Sequence, residues 1–179
     1  IEARRKEKKE HQQLSLVSSG QKENLRGFSG RQLAWDRLED LRRLVELRGG
    51  IYEGERMQHL FWRLNFLLLS GATNSAQMYH EAAALARELD TSWTYRSQEL
   101  MTLYAKAKQY EAGEKVDFGG RQYPPLYTPR NDTLINLFQI TDNEQRCLRT
   151  IISKSMATER RRERDRQRHE TRRRAAGAV

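Results

Sequence analysis

One cysteine, Cys147, occurs in 179 residues. A disulfide framework and a Cys-rich zinc site are therefore both excluded, and a reducing compartment is the natural setting. Proline is nearly as scarce, with all three residues between Tyr123 and Arg130. No stretch reaches the roughly 18 apolar residues of a membrane-spanning helix. The best candidate, Leu60–Leu69, is short and interrupted by Arg63 and Asn65, so no membrane partner is expected. The first residues lack the pattern of a signal peptide, and a chain that opens on Ile1 rather than Met is expected to lack its beginning.

Enzyme signatures are absent as well. His11, His59, His80 and His169 show no ligand spacing, and His80-Glu81 is not followed by the second His of a zincin. There is no phosphate-binding Gly loop and no Gly-x-Ser-x-Gly. Paired acids such as Glu39-Asp40 sit in ordinary amphipathic contexts. No catalytic residue, metal ligand or cofactor is assigned. A nucleophilic tyrosine among the seven stays open, although no His cluster or Arg/His set accompanies one.

What the chain does have is arginine, gathered at one end. Lys154–Arg174 holds ten Lys/Arg against four Asp/Glu, a net of +6 out of +9 for the whole chain. Residues 1–10 carry +2, which leaves the body, 11–153, at about +1. Charge localised in this way argues for contact with a nucleic acid or an acidic surface rather than for general solubility. The Arg-rich stretch contains no Gly or Pro and is expected to be helical. As a helix it aligns Arg160, Arg164, Arg168 and Arg172 at i, i+4 steps into a cationic ridge. Nine of its ten cations are Arg, whose planar fork suits phosphate. The competing view is a solvated helix held by pairs such as Glu163–Arg166 and Glu170–Arg174. Arg outnumbers acid too far for that to absorb the charge.

The body, 31–153, reads as a helical domain after a charged helix end and linker over 1–30. Ser29-Gly-Arg-Gln32 is a capping-box pattern. Trp35, Leu38, Leu41, Leu44, Val45 and Leu47 then recur at helical spacing up to Gly49-Gly50. Gly54–Leu69 is apolar on almost every side and predicts the central helix of a bundle. Thr73 or Asn74 caps a third helix with Met78, Tyr79, Ala82, Leu85, Ala86 and Leu89 inward. A fourth is expected from about Trp93 to Ala112, ended by Gly113. Trp35, Trp62 and Trp93 all lie on apolar faces and are assigned to the core.

Val116–Tyr123 predicts a β-hairpin turning at Gly119-Gly120. The three prolines keep Tyr123–Arg130 out of helix. Here Arg121, Tyr123, Tyr127 and Arg130 interleave cations with aromatics, which would suit stacking on unpaired bases. A strap packing its tyrosines on the core is the plainer reading.

Asn131 caps a short helix, and Thr141-Asp-Asn-Glu144 is a second capping box. The helix it opens is expected to carry Leu148, Ile151 and Ile152 inward and to lead into the basic stretch. Residues 131–153 thus have the rhythm of a helix-turn-helix, with Asn143, Gln145, Arg146 and Arg149 on the polar side of the second helix. The alternative is a helical hairpin packed on the bundle, and Asp142 and Glu144 would repel phosphate at the helix start. The fold expected is mainly α: a helical bundle with one short β-hairpin and a long Arg-rich C-terminal helix or tail over 154–179.

Asn131-Asp-Thr-Leu-Ile135, Ile140-Thr-x-x-Glu144, Leu148-Arg-Thr-Ile-Ile-Ser153 and an Arg-rich run closing on Arg174-Ala-Ala-Gly177 together resemble a region of replication-type DNA-binding proteins of bacterial plasmids and integrative mobile elements. Leu41-Arg-Arg-Leu-Val-Glu-Leu-Arg-Gly49 is similar to the same group. The likeness covers 121–177 best. It implies DNA work on a mobile element in a bacterial cytoplasm, associated with nucleoid or plasmid, beside other replication or recombination proteins. It supplies no catalytic residue. In that group the Arg-Ala-Ala-Gly segment leads into a further helix-turn-helix, which would lie beyond Val179.

The expected function is nucleic-acid binding, with double-stranded DNA favoured over RNA. The expected contacts are Arg146, Arg149, Lys154, Arg160, Arg161, Arg164, Arg168 and Arg172, with Arg121 and Arg130 from the hairpin and strap. The alternatives are a non-catalytic accessory domain of a larger primase-polymerase or recombinase, and a helical adaptor that binds RNA or an acidic protein.

Overall fold

The computed structural model describes residues 30–177 and is mainly helical, with one two-stranded antiparallel sheet. The charged helix end, the linker up to 29 and the cap residue Ser29 lie outside the described residues, while Gly30, expected in the linker, is already helical. Helix α1 runs over residues 30–47. Ala34, Leu38, Leu41 and Val45 fall at i, i+4, i+7 and i+11, so they share one face. Ala34, Leu38 and Leu41 are buried, as is Leu44, and Val45 packs against the same core. Trp35, expected on this face, does not join it. Ala34 takes that place, and Trp35 and Leu47 are each 39% exposed at the edges of the stripe. The helix stops as predicted. Gly49 adopts φ 69°, its N–H donates to Glu46 O, and the Gly50 N–H reaches back to Val45 O, a Schellman arrangement that favours Gly at the turn.

A short 3₁₀ turn (Glu53–Glu55) leads into α2 (Arg56–Ser70), the central helix. It buries residues on nearly all sides, from His59 and Leu60 through Leu68. Helix α3 (Met78–Leu89) packs against it with Met78, Ala82, Leu85, Ala86 and Leu89 inward. Neither candidate caps α3 itself, whose cap position is held by Gln77 with no side-chain bond, and Asn74 instead closes the turn before it. Its Oδ1 accepts the Gln77 N–H at 3.0 Å in the turn before α3.

The fourth helix begins later than its apolar spacing suggests. The Asp90 carboxylate takes the Ser92 N–H and hydroxyl at 2.8 and 2.7 Å and pairs with Arg56 at 2.6 Å. These local bonds compete with helix formation. The chain re-enters helix through a 3₁₀ turn (Ser97–Leu100) and α4 (Met101–Glu111), with Leu103 and Ala107 buried. Trp93 and Trp62 are half-buried against the core.

Strands β1 (Val116–Phe118) and β2 (Arg121–Tyr123) pair with Phe118 opposite Arg121 across Gly119-Gly120. Both glycines have positive φ, 61° and 75°, as a two-residue type I′ turn requires. Every residue of both strands is exposed. The proline segment forms a strap, with Tyr127 packed on the core and Tyr123, expected beside it, 39% exposed. Asn65, fully buried on α2, donates to Tyr127 O at 2.8 Å and accepts the Tyr127 N–H at 3.0 Å. Leu126 is buried, and the Tyr127 ring lies 5.6 Å from Phe61 and 6.0 Å from Trp62.

The last three helices are α5 (Asn131–Leu137), α6 (Asp142–Cys147) and α7 (Lys154–Ala176). The second capping box is present in full: the Thr141 hydroxyl accepts the Glu144 N–H, and the Glu144 carboxylate accepts the Thr141 N–H. Arg130, not Asn131, occupies the cap position of α5. Asn131 sits inside the first turn, where its amide donates to Thr150 O and Ile152 O and its Oδ1 accepts from Arg37.

Helix α6 does not continue into the basic stretch. Leu148, Ile151 and Ile152 are buried as expected, but they lie in a non-helical connection after α6 has ended at Cys147.

Candidate nucleic-acid interface

The break between α6 and α7 is built by two charged side chains. Asp40, on α1 and 3% exposed, accepts the backbone N–H groups of Arg149, Thr150 and Ile151 at 2.6, 2.6 and 2.8 Å and the Thr150 hydroxyl at 2.7 Å. Those amides are thereby withdrawn from the i−4 carbonyls that would have prolonged α6. Arg160 takes carbonyls at the same break, among them two of those left over. Its guanidinium donates to Leu148 O at 2.8 Å, Gln145 O at 2.8 Å and Arg146 O at 2.9 Å.

This arrangement changes the reading of the helix-turn-helix. Its second helix is six residues long. Gln145 is 2% exposed, and its side chain accepts the Ser153 N–H at 2.7 Å, so it faces inward. Arg149 lies beyond α6, with its guanidinium 3.1 Å from Asp36. Of the residues expected to read bases from α6, only Asn143 and Arg146 remain exposed on it. The segment is anchored to the core through Leu134, Phe138, Ile140 and Leu148.

Glu144, whose carboxylate would repel phosphate at the start of α6, has that charge engaged. Arg48 holds both carboxylate oxygens, at 2.7 and 3.2 Å, and also donates to Phe138 O. The Arg48 hydrogen bond, aided by those from Thr141, outweighs burial and brings the Glu144 carboxyl down to about 2. His59, buried beneath this corner with its ring 4.7 Å from Phe138, is held to about 3 by burial first and then by Arg63 and Arg48.

Helix α7 leaves the body at this point. Ser153 caps it, its hydroxyl accepting the Met156 N–H at 3.2 Å. Met156 is the one buried residue of α7 and Arg160 is half-buried, whereas 161–177 are all exposed. At about 1.5 Å per residue the helix is about 35 Å long, and most of it stands clear of the body. Lys154, Arg161, Arg164, Arg168 and Arg172 are solvent-facing, and of the four-arginine ridge only Arg160 is tied to α6. One α7 ion pair is formed among the described residues, Arg166 with Glu163 at 2.6 Å. Arg121 and Arg130 are exposed on β2 and at the start of α5, and no hydrogen bond among the described residues joins either to α7.

The tertiary roles of Asp40, Asn131 and Arg160 carry no recognisable signal in the sequence, although Asn131 does mark the start of α5. Asp40 and Arg160 look like any other charged residue of an amphipathic helix. Among the described residues there is no cluster of three or more His, Cys, Asp or Glu able to hold a metal ion, and no helix long and apolar enough to cross a membrane. Comparison with protein-family models, curated proteins and solved structures gave no match for the chain.

Proposed function

We propose that this chain is a duplex-DNA-binding module that grips phosphates through α7. One observation carries the reading: ten Lys/Arg lie on a helix whose exposed length makes a single ion pair among the described residues. Unpaired guanidinium groups on a protruding rod form a cationic surface that a phosphate chain would neutralise, releasing its counterions. The body contributes Arg146 beside the root of the helix, where Lys154 opens α7. Arg149 joins them only in part, since Asp36 shares its charge. The setting, a replication or integration protein of a plasmid or mobile element, rests on the sequence pattern over 121–177.

The test is binding of a short random-sequence DNA duplex, followed by fluorescence anisotropy across a salt series. Binding should weaken steeply with salt, and R164Q/R168Q/R172Q should flatten the log–log slope by about 0.9 for each phosphate that is no longer neutralised. Unchanged binding by that triple variant would sink the proposal. Arg160 is left intact because its replacement would also disturb the fold.

A further inference from the structure

Six of the nine arginines of α7 lie on the side of its axis turned away from the body, with Arg160, Arg164 and Arg174 behind them. Met156 is buried and Arg160 is bonded to α6, so these two mark the side of α7 turned toward the body. At about 100° per residue, Thr158, Asp165, His169 and Ala176 fall on the diametrically opposite side, within about 20° of one another's mean. The seam they form is exposed throughout.

Arginines flank this seam on both edges. Arg161, Arg168 and Arg172 lie about 40–80° to one side, and Arg162, Arg166 and Arg173 lie about 40–80° to the other. Three of the four acids, Glu159, Glu163 and Glu170, fall behind the second flank, well away from the seam. Arg166 spends part of its charge on Glu163.

We infer that α7 lies in the major groove of B-form DNA, with Thr158, Asp165 and His169 facing base edges and the two arginine rows on the phosphates of the two strands. This rests on the duplex-DNA reading above and adds sequence discrimination to it. A helix about 10–12 Å across fits a groove about 12 Å wide, with phosphates along both walls. A cation–seam–cation cross-section complements that profile. A helix laid along one strand would need only one row.

Asp165 decides between the two modes. Against a phosphate chain its carboxylate would be repelled. On the floor of the major groove a carboxylate accepts from cytosine N4, while Thr and His find partners on base edges. The deep, narrow major groove of duplex RNA excludes such a helix, so the partner is DNA.

The experiment is selection from a random-sequence DNA duplex pool by the whole chain, followed by titration of the enriched duplex, a scrambled duplex and the enriched sequence as duplex RNA. The wild type should prefer the enriched DNA over the scrambled DNA by about ten-fold or more, and T158A/D165A/H169A should reduce that ratio to about two-fold without weakening binding to scrambled DNA. The three positions are exposed, so the variant should fold, which circular dichroism checks. Salt-sensitive binding with no enriched sequence, an unchanged preference in the triple variant, or equal affinity for the RNA duplex would each overturn the groove inference and leave duplex binding standing. Failure to bind any DNA duplex would overturn both.

Discussion

Asp40 and Arg160 flank one interruption of the chain and satisfy its opposite polarities. Asp40 accepts three consecutive backbone N–H groups from 149–151, and Arg160 donates to three carbonyls of 145–148. An interrupted helix leaves orphan donors on one side and orphan acceptors on the other. Here an anion from α1 answers the first set and a cation from α7 the second. The direction in which α7 leaves the body is therefore set by charge-assisted hydrogen bonds, with Met156 as its apolar contact.

The four arginines of the i, i+4 ridge should accordingly separate in a stability measurement. R160A should lower the unfolding free energy by about 1–3 kcal/mol, because three carbonyls lose a charged donor. R168A, on the free part of the helix, should stay within about 0.5 kcal/mol of wild type. Asp40→Ala should be the most damaging of the three, at about 3 kcal/mol or more, since it leaves three buried or half-buried amides without an acceptor. Urea denaturation of the three variants measures the order, and equal effects at Arg160 and Arg168 would contradict it.

Asn65 is the corresponding tie for the strap. It closes a two-bond ring with the backbone of Tyr127 from a fully buried position. Asn65→Leu keeps the volume but leaves the Tyr127 N–H and C=O unpaired. A cost of about 2–4 kcal/mol is expected. Faster hydrogen exchange at Tyr127 should accompany it.

The β-hairpin should be separable from the rest. None of its strand residues is buried, and Phe118 at its turn is 79% exposed. Gly119→Val places a β-branched residue at φ 61° and should melt the hairpin. Because the hairpin can open by itself, global stability should move by no more than about 0.5 kcal/mol. Amide exchange at Val116 and Tyr123 would reveal the local loss. A large drop in the global transition would mean that the hairpin is part of the cooperative unit.

The elements most legible in the sequence are those set by local chemistry. Gly49-Gly50, Gly119-Gly120, the Thr141–Glu144 box and the three prolines each restrict a few neighbouring dihedrals, and each acts where expected. Periodicity places the buried faces of α2 and α3, except at Tyr79, expected inward but exposed. It fails at Trp35, where a stripe one residue over, through Ala34, aligns better with Leu38 and Leu41. It also fails at 148–153, where the apolar spacing is compatible with helix and the decision comes from Asp40, far away in the chain. The candidate interface divides along the same line. The exposed ridge beyond Arg160 follows from composition and the 3.6-residue repeat, whereas the use of Arg160, Arg149 and Gln145 within the body depends on tertiary partners.

The corner around Arg48 should make stability depend on pH in two windows. The folded chain holds His59 at about 3 against an ordinary 6.5, so between those values the unfolded chain binds a proton that the folded chain does not. Stability must then fall as pH drops from 6.5 toward 3, by at most about 1.4 kcal/mol per pH unit. The Glu144 carboxyl sits at about 2 against 4.5, so its contribution is complete above 4.5 and is lost as pH falls toward 2. The interval from 6.5 to 5 therefore reports His59 before the carboxylates enter. His59→Leu should flatten that interval at modest cost near neutrality, because the Nδ1 of His59 has no hydrogen-bond partner among the described residues. Arg48→Gln should remove most of the lower window by freeing Glu144. Urea midpoints measured across pH test both, and a wild-type curve that is level from 6.5 to 5 would show that His59 takes up its proton in the folded state.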